Sequence, residues 1–509
     1  ERINTDLGTD IQPTDFFHHT TIRALSDHLT TQLPADSRPA VPPPATHAPI
    51  GPTDSAARTG PADPAVPSAS TRPSASAGAS AGRPLPRPTT VPDDVAVIGM
   101  ALRFPGAQTV ERFWDNLRSG VDSVGVIPSL RWDVQQHFDP DRSAPGKTYS
   151  RWGSTLVDAA RFDGGFLGPS PREAQVMDPQ QRLFLETAWH AMEDAGCTAE
   201  TLRGQNVAVY AGASAGDFQN YLRSQGVPPQ GYTFTGNHPA LLPSRLAYLL
   251  DLRGPSVAVE TSCSSSLLAI HLACEEIRAG RVELAFAAGV ALLFTPELHI
   301  LASKAHMLSP TGRCRTFDQE ADGFVPGEGV GVVVLKSLTR AVENGDRILG
   351  VIRGSGCNQD GRSNGLTAPS MVAQRDLEVE VYRRFGIDPG QIGYVECHGT
   401  GTRLGDPIEV EALTAAFRQF TAERDFCGLG SVKSNLGHTL TAAGIAGFGK
   451  ALLSLRHRQI PPTLHVSQVN GQLKLDGSPF YVARELTPFP SPSAGTRLAA
   501  VSSFGFSGT

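Results

Sequence analysis

No two cysteines of the 509-residue chain stand in a CxxC pattern, and its seven cysteines, at 197, 263, 274, 314, 357, 397 and 427, are an odd number without paired spacing. That argues against a disulfide framework or a zinc site and for a reducing compartment. Basic excess is missing too. Lys and Arg total 44 against 50 Asp and Glu, for a net charge of −6, so nucleic acid is not an expected partner. No apolar run approaches the roughly 20 residues of a membrane span, and there is no charged-then-apolar leader, so a cytoplasmic location is expected. Aromatic residues are absent from 34–92, where Pro, Ala, Ser, Thr and Gly dominate. Such a segment cannot bury enough apolar surface to order itself, and it reads as a flexible linker. An initiating Met is also absent. Glu1 and the Gly/Ser-rich end at Thr509 read as cuts from a longer chain.

What the chain does have is 40% hydrophobic residues and a length beyond one small domain. Residues 1–33 carry Phe16, Phe17, Ile22, Leu25 and Leu29 at helical spacing, an amphipathic piece too small to fold alone. From Asp93 onward, buried-type strands recur at Val95–Met100, Val207–Gly212, Val257–Val259, Leu284–Gly289, Val330–Leu335, Leu349–Ile352 and Ile392–Cys397. Helical patterns at Arg112–Ser119, Asp178–Gly196, Leu242–Leu252, Ser264–Ala279, Val372–Phe385, Pro407–Phe417 and Thr441–His457 alternate with many of them. The expectation is an α/β unit over 93–509 with parallel sheets covered on both faces. Its size argues for two lobes, about 93–346 and 347–509. A strand, polar turn and small-residue helix occur at 256–279 and again at 428–457.

The most informative stretch is Ser256-Val-Ala-Val-Glu-Thr-Ser-Cys263-Ser-Ser-Ser-Leu-Leu, read as a short strand, a sharp polar turn and a helix ending near Gly280. A thiol at that turn feels the positive helix end, which lowers its pKa, while serine hydroxyls cap orphan amides. The same amides can serve an acyl thioester as half of an oxyanion site. Taken alone, the stretch fits equally a cysteine that merely packs in the core. Two histidines stand in Gly-flanked turns after strands: His398 in His398-Gly-Thr-Gly-Thr402, and His438 in Lys433-Ser-Asn-Leu-Gly-His438. The ends of strands are where α/β sheets place functional groups.

These motifs, with Asp178-Pro-Gln-Gln-Arg-Leu, Arg313-Cys-Arg-Thr-Phe-Asp318, Gly327-Glu-Gly329, Asn358-Gln-Asp-Gly-Arg-Ser-Asn-Gly365 and Gly405-Asp-Pro-Ile-Glu409, make 93–509 resemble a β-ketoacyl synthase domain of a bacterial modular type I polyketide synthase. Pro13-Thr-Asp-Phe-Phe17 makes 1–33 resemble the C-terminal end of an acyl carrier protein domain, whose phosphopantetheine-bearing serine would lie upstream of Glu1. The resemblance implies a duplicated αβαβα five-layered thiolase fold, a homodimer, and no metal and no cofactor of its own. Substrates would arrive on the phosphopantetheine of acyl carrier proteins. It implies that Cys263 takes the acyl chain and that His398 and His438 serve decarboxylation of a malonyl extender. Lys433 and Glu328 would support them, Lys433 from beside His438. Thr400 and Thr402 would touch the phosphopantetheine arm. Phe506 would be a gate, its amide joining that of Cys263 at the oxyanion.

The sequence departs from the family pattern at Glu260 and Ser262, in place of Asp and Ala, and at Leu440, where many relatives have Glu. The Asn-Ala-His segment expected after Thr509 is missing, which leaves the last strand incomplete. Leu440 keeps open a branching synthase that performs conjugate addition. A non-elongating transacylating or scaffold domain is the other alternative, though His398, which such relatives typically lose, is present.

Overall fold

A computed structural model describes residues 93–490 and 495–509. The carrier-end and linker readings of 1–33 and 34–92 fall outside the described residues. The first sheet is built from β1 (Val95–Arg103), β2 (Val207–Gly212), β3 (Ser256–Val259), β4 (Leu284–Ala291), β5 (Gly329–Ser337) and β6 (Gly350–Ile352), in the order β3-β2-β4-β5-β1-β6. A second sheet holds β7 (Ile392–Glu396), β8 (Cys427–Gly430), β9 (Phe480–Val482) and β10 (Leu498–Val501), in the order β9-β8-β7-β10.

Side chains on the first sheet alternate between two cores, which is why its strands are apolar almost throughout. Val207, Val209 and Ala211 of β2 face one way, with Val330, Val332 and Val334 of β5, against helices Pro179–Asp194 and Leu241–Leu250. Ala208, Tyr210, Val333 and Leu335 face the other, against helices Ser265–Arg278 and Ala443–His457. Beyond the second sheet, helices Met371–Phe385 and Gly405–Phe417 cover Ile392, Val395, Cys427 and Leu429. In chain order these six helices are α1 (Pro179–Asp194), α2 (Leu241–Leu250), α3 (Ser265–Arg278), α4 (Met371–Phe385), α5 (Gly405–Phe417) and α6 (Ala443–His457). The layers run helix, sheet, paired inner helices, sheet, helix, the five-layered thiolase fold.

The expectation of parallel sheets is corrected for the first one, which is mixed. β5 is antiparallel to both β4 and β1, and β6 is antiparallel to β1. Apolar runs buried on both faces look alike in either direction, so composition does not tell them apart. The two sequence echoes at 256–279 and 428–457 supply the inner helices α3 and α6. They approach so closely that a Cβ at Gly444 would lie 2.7 Å from the Leu267 amide nitrogen. The Ile445 amide donates to Ser266 Oγ at 3.0 Å, joining the start of one inner helix to the start of the other. Among the described residues no helix is long and apolar enough to cross a membrane.

Candidate active site

Ser262, with φ of 59°, is a non-glycine residue in the left-handed region, at a cost of roughly 1 kcal/mol. This tight turn leads from β3 into a single 3₁₀ turn, Ser262–Ser264, and so into α3. Cys263 sits within it, 9% exposed. The serines do not cap α3 as expected. No side chain caps that helix; Ser265 Oγ instead accepts the Thr261 amide and donates to the Ser262 carbonyl, and Ser266 is engaged by Ile445. The Phe506 and Cys263 amides donate toward the sulfur.

His438 follows the short helix Lys433–Leu436, and its Nε2 lies 3.0 Å from the Cys263 Sγ. His398 follows β7, and its ring lies 5.6 Å from that of His438, nearly perpendicular to it. The sulfur and two imidazoles, spread over 175 positions of sequence, therefore meet in one place. Each imidazole has a backbone amide on Nδ1: Phe504 donates to His398 at 3.3 Å and Leu440 to His438 at 3.2 Å. An accepting Nδ1 leaves the proton of a neutral ring on Nε2. Burial, and then the Lys433 charge, hold both histidines well below the ordinary histidine range, so both rings are neutral.

The sequence argument for a lowered cysteine pKa does not hold in the fold. Burial pushes the Cys263 thiol up to about 11, outweighing Lys433 and the two amides, which act the other way. Lys433, 3% exposed, donates to the carbonyl of His398 rather than to His438. Burial lowers its pKa, against the pull of Glu396 and Glu409. Glu328 is fully buried, and its carboxylate is taken up by Arg131, at 3.0 and 2.9 Å, and by the Leu156 and Leu293 amides. Its link to the site is through the chain, since the neighbouring Gly327 amide donates to the His438 carbonyl at 2.8 Å. Thr400 and Thr402 bond each other at 3.1 Å. The Phe506 ring is 58% exposed rather than seated behind the cysteine; Phe504 is the aromatic beside His398.

Sequence reasoning missed the acids that shape this site. Glu409 accepts the His398 and Gly399 amides, and Asp406 accepts those of Phe317 and Gly401. Burial raises Glu409 to about 8 and Asp406 to about 6. A signal was present: an Asp and a Glu three apart in the first turns of α5 share one helix face, turned toward the loop before it. Among the described residues no cluster of His, Cys, Asp or Glu could hold a metal ion.

The family description Beta-ketoacyl synthase, N-terminal domain, matches residues 92–341, and Beta-ketoacyl synthase, C-terminal domain, matches 349–467. The chain is 48% identical over 420 residues to a phenolphthiocerol/phthiocerol polyketide synthase polypeptide of Mycobacterium tuberculosis, covering 82% of this chain and 27% of that protein. It thus spans only a minor part of that curated relative's length. Among solved structures, the ketosynthase from module 6 of the bacillaene synthase of Bacillus subtilis is 43% identical, with a TM-score of 0.77, covering 82% of this chain and 70% of that one. The oxazolomycin ketosynthase domain OzmH KS7 of Streptomyces albus is 41% identical, with a TM-score of 0.77, covering 82% and 73%.

Proposed function

The chain belongs to the β-ketoacyl synthase family, acyltransferase-type enzymes of modular polyketide synthases, and from that membership we propose that it elongates a polyketide chain by decarboxylative condensation. In the first step the Cys263 sulfur attacks an acyl thioester delivered by an acyl carrier protein. The carrier's phosphopantetheine thiol leaves with the cysteine proton. In the second, the bond between the malonyl carbon and its carboxylate breaks on a malonyl carrier. Carbon dioxide departs, and the electron pair passes into an enolate whose oxygen takes hydrogen bonds from His398 and His438. The enolate carbon attacks the acyl-cysteine carbonyl, and the resulting oxyanion is held by the Cys263 and Phe506 amides. Collapse of the adduct expels the sulfur as a thiolate, which takes a proton from solvent to restore the Cys263 thiol, and leaves a β-ketoacyl carrier.

The observation that carries this reading is the pair of neutral imidazoles, each with Nδ1 occupied by a backbone amide, beside one sulfur. Prearranged neutral donors suit an enolate oxygen and give no advantage to simple acyl transfer. Leu440 serves His438 through its backbone amide, a contact that does not depend on which side chain stands there.

Thr400 and Thr402 would touch the arm at the loop after His398. We further propose a cytoplasmic homodimer in which an outer strand of the first sheet, β3 or β6, with Val257 41% and Val351 40% exposed, meets its copy. Cys263→Ala should abolish acyl loading seen by intact-protein mass spectrometry, whereas His398→Ala should load normally but stop carbon dioxide release from a malonyl carrier. Loading that persists in Cys263→Ala, or unaffected release in His398→Ala, would refute the assignment.

A further inference from the structure

Glu396 and Lys450 form an ion pair at 3.0 Å, with side chains 1% and 0% exposed, in the heart of the second lobe. A buried pair of this kind contributes little net stability against apolar residues of the same size, so its value is to be sought in what it holds in place. Glu396 ends β7, two residues before His398. Its Oε1 accepts the Val432 amide at 2.6 Å, at the start of the turn that carries Lys433 and His438. The other oxygen accepts the Tyr394 hydroxyl and faces the Lys450 ammonium, which lies 5.7 Å over the Tyr394 ring. Lys450 belongs to α6, the helix that follows His438. Room for this arrangement depends on Gly447 in that helix, where a Cβ would stand 3.1 Å from the Glu396 Cγ.

One carboxylate therefore touches three pieces of chain: the strand leading into the first histidine, the turn leading into the second, and the helix leading out of it. None of these contacts includes Cys263, whose carbonyl is held separately by Ser503 at 2.8 Å. We propose that Glu396 and Lys450 are positioning residues that fix the spacing of the two histidines, and that they act on decarboxylation rather than on acylation of Cys263. This rests on the condensing reading above, because only the malonyl step uses both imidazoles. Enolate stabilisation by two donors depends on their separation, and a misplacement of about 1 Å costs about a hundredfold in rate.

The test compares the parent with E396L/K450M, which removes both buried charges together and so leaves neither uncompensated. Where that protein does not fold, E396Q/K450M carries the same test with carbon dioxide release lowered about tenfold and exchange at Val432 quickened about threefold, since a neutral amide accepts from Val432 more weakly than a carboxylate. Hydrogen exchange over 428–440, read by mass spectrometry, reports the tie itself: exchange at Val432 should quicken by about tenfold or more, while 256–279 stays protected. Unchanged exchange at Val432 overturns the inference. In turnover, Cys263 acylation should stay within about threefold of the parent while carbon dioxide release from a malonyl carrier falls by about a hundredfold. Equal losses in both steps, or undiminished release despite quickened exchange, also overturn it. A parent that acylates Cys263 yet releases no carbon dioxide sinks the condensing reading instead, and exchange at Val432 still decides whether the tie exists.

Discussion

The backbone amide of Leu440 donates to Nδ1 of His438 over 3.2 Å, and this single bond decides which nitrogen of the ring carries its proton. Leu440 reaches that position with φ of 50°, in the left-handed region that a leucine rarely adopts. The strain lies beside the sulfur, where it turns an amide inward. His438 is thereby presented as a hydrogen-bond donor and is poorly placed to act as a base.

The state of the two rings has a direct consequence for rate against pH. Burial and Lys433 hold both histidines well below 6.5, so neither gains a proton as pH falls through the usual histidine range. Carbon dioxide release from a malonyl carrier should therefore show no inflection near pH 6.5, where an ordinary histidine titrates. An inflection there that disappears in His398→Ala would contradict the assignment of neutral donors.

For Cys263 the direction is opposite to that of an activated thiolate. With its thiol pushed up to about 11 by burial, Cys263 should be alkylated by iodoacetamide ever faster as pH rises through about 9, without a plateau. Peptide mapping resolves this site from exposed Cys357. A plateau below about pH 8 would mean that the amides and Lys433 prevail over burial.

Glu409 and the histidines act on stability from opposite sides. The folded state raises Glu409 to about 8 from an ordinary 4.5, so it holds a proton that the unfolded chain releases, and its stabilisation is lost as pH rises through about 8. The depressed histidines do the reverse: the unfolded chain takes up protons below 6.5 that the fold refuses, so stability falls as pH drops below 6.5. Glu409→Gln should flatten the decline of melting temperature between about pH 6 and 8.5 while leaving the acid limb in place. Scanning calorimetry of both proteins across that range checks it, and an unchanged alkaline limb would count against a protonated Glu409.

Arg131 and Glu328 present the other kind of buried charge. Their side chains are 3% and 0% exposed, and Arg131→Leu would strand the Glu328 carboxylate without its cation. Breaking such a pair from one side costs about 3–5 kcal/mol, so urea unfolding of Arg131→Leu should show a loss of that size. A loss below about 1 kcal/mol would mean that the Leu156 and Leu293 amides suffice to hold the anion.

Much of this arrangement is legible in the residues. The run Val207–Gly212 is strand β2 to the residue, and Arg112–Ser119 differs from the helix Val110–Arg118 only at its ends. His398 and His438 stand out because Gly-flanked turns follow apolar strands, and Cys263 because a polar Thr-Ser-Cys-Ser-Ser-Ser turn separates a strand from a helix, although that stretch gains its weight only beside the two histidines. Strand β8 is legible only as the opening of the second strand-turn-helix echo at 428–457, because Cys427-Gly-Leu-Gly430 has little side-chain substance and owes its place to β7 and β9 on either side. The antiparallel direction of β5 is hidden for a related reason, since residues buried on both faces carry no mark of direction. The cysteine pKa is misjudged from sequence because a helix end is visible there whereas depth of burial is not. Glu396 and Lys450 escape notice because 54 positions separate them, and only the folded chain brings them to 3.0 Å.

The Ser266 to Ile445 bond between the starts of α3 and α6 also sets where the molecule can tolerate change. Cys263 and His438 are mounted at the starts of two rods that lie between the sheets. The outer helices α1, α2, α4 and α5 are separated from that bond by a full layer of strands. A change of length in a loop between outer elements therefore meets a sheet before it meets the sulfur or the second imidazole, whose spacing is fixed by contacts internal to the paired helices.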